Sequence, residues 1–170
     1  MAPDTVLDAP ISFAQSFVAS DAFRALFREG MGLVETTAAY LDGPGRDESK
    51  TLPRMLALAY ASESMRLTTR LMQLASWLLL QRAVAEGEMT PDDARRQKDK
   101  VRLAQQTPIN GPDAVEALPA ALQDLIAQSL RLQARIRHLD DLMEGRVGHE
   151  PEATNHVQAQ QKLLASIFHN

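Results

Sequence analysis

The 170-residue sequence contains no cysteine and very little aromatic side chain, 5% of its residues with one tryptophan. Without cysteine there are no disulfides, no thiol catalysis and no Cys-ligated zinc, and a reducing compartment is consistent with that. Runs of β-branched residues, which strands prefer, are also missing. No apolar run is long enough for a bilayer. The richest window, Leu71 to Ala85, is broken by Gln73, Ser76, Gln81 and Arg82, and a spanning helix needs about 20 predominantly apolar residues. Met1 to Pro10 carries Asp4 and Asp8 but no Lys or Arg, so it lacks a secretory n-region and a cytoplasmic location is expected. An excess of positive charge is absent too. With 18 Lys+Arg against 22 Asp+Glu the net charge is -4, which argues against a free-standing nucleic-acid binder, and no membrane partner is expected.

What is present is Leu, Ala and Met, within a composition that is 45% hydrophobic and 24% charged. Those side chains lose little freedom in a helix, and the overall balance is that of a globular chain. The expected class is all-α, with residues 1–19 as a lead-in packed on the bundle, residues 20–145 as a helical bundle domain, and residues 146–170 as a mobile tail.

Ser20 or Asp21 can cap the first helix, which then reads Phe23, Leu26, Phe27, Gly30, Val34, Thr37, Ala38 and Leu41 at helical spacing. Gly30 and Gly32 each cost such a helix roughly 0.8–1 kcal/mol against Ala. Close approach of a neighbouring helix is the expected compensation. Asp42-Gly43-Pro44-Gly45 ends this helix, and Arg46 to Lys50 reads as a polar loop. The second helix begins near Thr51 with Pro53 in its first turn and meets no Gly or Pro until Gly87. At the α-helical rise that is a rod on the order of 50 Å. Its second half, Leu71 to Val84, is apolar on nearly every side and must be covered on every side. Two neighbours in a three-helix unit leave a third face, so a partner chain is the natural cover.

Thr90-Pro91-Asp92-Asp93 starts a short, highly charged helix bearing Arg95, Arg96, Lys98, Lys100 and Arg102. The last long helix falls between Asp113 and Glu144, with Pro119 near its true start. Its seam of Leu118, Leu122, Leu125, Ser129, Leu132, Ile136, Leu139 and Met143 alternates spacings of four and three, a heptad pattern with one polar member.

Candidate chemistry is thin. The four histidines (His138, His149, His156, His169) show no mutual pairing at helical spacing, so solvated side chains are expected rather than metal ligands. Asp140, Asp141 and Glu144, with Arg137 and Arg146 near, read as a surface charge cluster. No nucleophile elbow and no Gly-rich phosphate loop occurs. Neither cofactor nor catalytic residue is expected. The arginines Arg66, Arg70, Arg131, Arg135 and Arg137 read as frame residues of a bundle, and Met65, Met72 and Met89 as core. Trp77 is either core or the anchor of an interface, where tryptophan is enriched. The expected protein-interaction residues are Arg70, Leu71, Leu74, Trp77, Leu78 and Arg82. The alternative function is a dimeric DNA-binding regulator using the basic helix Arg95 to Arg102.

The stretch Leu67 to Val84 (LTTRLMQLASWLLLQRAV) resembles the signature block of the RcdA family, the alphaproteobacterial regulators of CtrA degradation. Phe23 to Met31 and Tyr40 to Arg46 are similar to its first-helix block, and the resemblance spans about residues 12 to 145. It implies a homodimeric three-helix bundle acting as a proteolytic adaptor without catalytic residues. Such an adaptor bridges protein cargo, cell-cycle transcription regulators such as CtrA, to the ClpXP protease at the cell pole, together with a response regulator of the CpdR type. An adaptor needs two binding surfaces and no chemistry, because it acts by raising effective concentration.

Overall fold

The structure, a computed structural model, describes residues 13–100 and 110–145. Among them there are helices and no strand: α1 (Phe13–Val18), α2 (Asp21–Asp42), α3 (Pro44–Lys50), α4 (Arg54–Ala85), α5 (Pro91–Lys100), α6 (Pro112–Glu116) and α7 (Ala120–Met143). Helices α2, α4 and α7 pack on one another as a three-helix bundle, with α4 at its centre. The expected all-α class holds.

Ser20 starts α2 as expected, its hydroxyl accepting the Phe23 amide at 3.3 Å. The inward face of α2 is Phe23, Leu26, Gly30, Leu33, Thr37 and Tyr40, which keeps Thr37 of the expected second half but shifts its neighbours by one position. Leu33 and Tyr40 take the core in place of Val34 and Leu41, and Ala38 is exposed. Gly30 is where α2 and α4 touch: a Cβ there would overlap Leu78 Cδ1 and stand 3.7 Å from Leu132 Cδ2. Gly32 has nothing within 4 Å, so close approach explains one glycine and not the other.

Residues 46–50 are not a loop. Pro44 at the first helical position, where its missing N–H costs nothing, opens α3 directly after Gly43. Gly45 lies under Tyr40 and Tyr60, and Tyr40 donates to Glu48 Oε2 at 2.9 Å. The lead-in is also more regular than expected, since α1 starts at Phe13 and buries Val18. The rings of Phe13 and Phe17 stack at 6.0 Å, and Phe17 meets Phe23 edge-on at 5.8 Å.

α4 runs for 32 residues, close to the expected rod. α7 begins after Pro119, which splits off the short α6. Its seam is the buried face as read: Leu118, Leu122, Leu125, Leu132 and Ile136 are in the core, and Leu139 and Met143 pack against it. Each fully buried side chain of this size contributes roughly 1.5–3 kcal/mol. The polar seam member Ser129 is wholly buried and accepts a hydrogen bond from Arg70 Nη1 at 2.8 Å, while donating to the Ile126 carbonyl at 2.7 Å. The expected tail at 146–170, the start of the lead-in and residues 101–109 lie outside the described residues.

Candidate functional site

The six expected interaction residues divide sharply. Arg70, Leu71, Leu74, Trp77 and Leu78 are buried inside the protomer, Trp77 and Leu74 at 1% exposure and Leu78 at 0%. Within the protomer these five belong to the core that α4 forms with α2 and α7. Burial holds the Arg70 guanidinium below its ordinary value, the Arg66 charge adds to that, and Glu63 opposes it. Trp77 donates its indole N–H to Asp140 Oδ1 at 2.8 Å, which satisfies the one polar atom of a core tryptophan. Only Arg82 is on the surface. It pairs with Glu86 at 2.8 Å, a hydrogen bond that raises its affinity for the proton, and lies 5.0 Å over the Phe27 ring.

The surplus apolarity of α4 faces the other way. Leu58, Met65, Met72 and Leu79 are exposed at 58%, 72%, 67% and 52%. They recur every seven residues, so they form one stripe of about 32 Å along the helix. The positions between them at heptad spacing are Ser62, Thr69, Ser76 and Ala83, all small. The Ser76 hydroxyl donates to the Met72 carbonyl at 2.8 Å, which turns its one donor back onto its own helix. Met65 and Met72 thus correct their expected place in the core. A methionine surface adapts readily to a partner, and large side chains alternating with small ones let two helices interdigitate closely.

The acidic cluster at the end of α7 is not a surface patch either. Lys98 of α5 reaches in to Asp140 Oδ1 at 2.9 Å and also pairs with Glu144, and all three side chains are about nine-tenths covered. Asp140 therefore joins α4, α5 and α7 through one carboxylate. This changes the basic helix as well. Lys98 points inward, and Arg95 and Arg96 pair with Asp92 and Asp93 on their own helix at 3.6 and 4.0 Å. Arg102 and the histidines His149, His156 and His169 lie outside the described residues, and His138 is exposed. Among the described residues no group of three or more His, Asp or Glu gathers as a metal site, and no helix is long and apolar enough to cross a membrane.

Residues 14–168 match the family described as "Protein of unknown function (DUF1465)". The solved structure of RcdA from Caulobacter crescentus CB15 is 53% identical over 76% of this chain and 96% of that chain, with a TM-score of 0.62. The chain belongs to the RcdA family. No match is found among curated proteins.

Within this RcdA-family bundle the most distinctive sequence block, Leu67 to Val84, serves two purposes. One side of it makes the core and the other makes the stripe. Two structural features escaped the sequence reading. The stripe carried a signal, since Leu58, Met65, Met72 and Leu79 keep a seven-residue period, but a denser apolar pattern overlies it. The Lys98 pairing carried none, because its partners lie 42 and 46 residues away.

Proposed function

We propose that this RcdA-family protein is a non-enzymatic, homodimeric adaptor for regulated proteolysis. It binds protein cargo of the CtrA type and promotes its degradation by the ClpXP protease, acting with a CpdR-type response regulator in the cytoplasm at the cell pole. Family membership supports the adaptor role. The exposed stripe of α4 is the observation that carries the dimer. Four large apolar side chains at 52–72% exposure on one helix face are a patch that a monomer rarely leaves open. The large–small alternation complements itself when a second α4 lies antiparallel, each methionine or leucine entering the gap at a serine, threonine or alanine of the twin. That is an isologous contact, the commonest kind in homo-oligomers. The buried residues expected to touch the partner contribute by holding α4 straight and in register.

Purified ClpXP, the response regulator and a CtrA-type cargo test the whole reading. Cargo half-life should shorten on adding the protein and should return to its unassisted value when the protein is left out. Unchanged degradation with every component present would reject the adaptor role. Sedimentation equilibrium tests the dimer separately. Met72→Glu and Leu79→Glu should each give monomers with intact helical content, and dimers of undiminished affinity in both variants would reject the stripe as the interface.

A further inference from the structure

A second surface lies where the α1–α2 turn meets the C-terminal end of α4, and no residue of the stripe lines it. It is a groove of about 610 Å³, within the ~300–1,000 Å³ range of pockets that hold a compact ligand. Its floor is apolar: Val18, Phe23 and Phe27. Its rim carries three arginines, Arg24 and Arg28 from α2 and Arg82 from α4, against one acid, Glu86, which is paired with Arg82. A basic rim on an apolar floor is notable in a chain whose net charge is -4.

The arginines are available to a ligand. Arg28 has no hydrogen bond or ion pair among the described residues. Arg24 pairs with Asp21 at 3.0 Å, with both side chains well exposed at 68% and 95%. Such a pair exchanges easily for another carboxylate. Arg82 spends its Nε on Glu86 and leaves both terminal nitrogens, the fork that grips a carboxylate in bidentate fashion. The Phe27 ring beneath its guanidinium limits its motion and places the charge at the groove's edge. The first turns of α2, a 22-residue helix, add the positive end of a helix dipole on the same side.

We infer that this groove docks an acidic peptide segment carrying a bulky apolar residue. The apolar side chain lies over Phe27 and the exposed edge of the largely buried Phe23, and flanking carboxylates pair with Arg28 and Arg82. This surface is independent of the adaptor reading, since any protein partner with such a segment would satisfy it. It also gives a role to Arg82, the exposed member of the expected interaction set.

The probe is a fluorescein-labelled dodecapeptide with a central Leu-Phe pair flanked by four Asp or Glu residues, read by anisotropy against the full chain. Saturable binding is expected, weakened tenfold or more by Arg28→Glu and by Arg82→Ser, and unaffected by Arg131→Glu on α7. Replacing the acidic residues by Lys, or Leu-Phe by Ala-Ala, should abolish it. Circular dichroism confirms that each variant is folded. The inference fails if the peptide does not bind at millimolar protein, or if folded Arg28→Glu and Arg82→Ser bind it as well as the parent. It also fails if a single-stranded oligonucleotide displaces the peptide at equal concentration, which would mark the rim as a general polyanion surface.

Discussion

The contact between Gly30 and Leu78 makes a test of packing whose outcome can be worked in advance. Leu78 is 0% exposed, so Leu78→Ala loses the transfer free energy of its side chain and leaves a cavity, about 2–5 kcal/mol by comparison with other buried leucines. Gly30→Ala has two opposed effects. It gains roughly 0.8–1 kcal/mol of helix propensity, and it drives a methyl into Leu78 Cδ1, an overpacking that costs about 1–3 kcal/mol. Leu78 is wholly buried, so its Cδ1 can yield only by displacing close-packed neighbours. The net is a loss of about 1 kcal/mol. In the double variant the obstructing atoms are gone, and the new methyl occupies part of the vacated space. The double variant should therefore be more stable than Leu78→Ala alone by about 1 kcal/mol, with a favourable coupling of about 1–3 kcal/mol. Urea unfolding at one fixed protein concentration measures this, since a dimer of the proposed kind would make apparent stability depend on concentration. Additivity within about 0.5 kcal/mol, or stabilisation by Gly30→Ala alone, would refute a tight α2–α4 contact at this point.

Three further outcomes are expected. Ser129→Ala leaves the buried Arg70 guanidinium without its hydroxyl acceptor and should destabilise by about 1–3 kcal/mol in the same urea assay. Lys98→Met removes the cation between Asp140 and Glu144 and should destabilise by about 1–3 kcal/mol, below the range for a fully buried pair because some solvent reaches the site; hydrogen exchange should show the loss concentrated in α5. The Tyr40 hydroxyl is held protonated by burial first and by its hydrogen bond to Glu48 second. Its proton affinity is thus higher folded than unfolded, so its contribution is complete below the unfolded value of about 10 and is lost as pH rises beyond that. Denaturation midpoints between pH 9 and 11.5 should fall more steeply for the parent than for Tyr40→Phe, and parallel curves would contradict this.

Where a helix has one apolar face, its residues could be read directly from spacing. The α7 seam was legible down to Ser129, because one polar residue in a heptad pattern stands out. Ser20 was legible as a cap because side-chain capping is local chemistry. α2 was read correctly up to Gly30 and again at Thr37, but one position off at Leu33 and Tyr40, because Leu33 and Val34, like Tyr40 and Leu41, are adjacent apolar pairs that periodicity alone cannot rank. α4 was the hardest. With Leu71, Leu74, Trp77 and Leu78 on one side and Met72 and Leu79 on the other, apolarity shows that two surfaces exist. Which of them the bundle keeps depends on where α2 and α7 arrive. Arg46 to Lys50 misled because a charged segment after Gly-Pro-Gly resembles a loop, although proline at the first helical position makes a helix equally well. The Arg24–Arg28–Arg82 rim was out of reach, since it is assembled from helices that sequence alone does not place side by side.

The bond between Trp77 and Asp140 has a practical consequence. Trp77 is the only tryptophan, so all indole emission from the chain comes from one ring. The carboxylate its N–H meets at 2.8 Å is the same one that Lys98 holds from α5. Any event that lifts α5 from the bundle alters the charge and solvent beside that ring. The protein thus carries its own optical reporter for α5 docking, which can be followed in real time and without a label while each proposed partner is added.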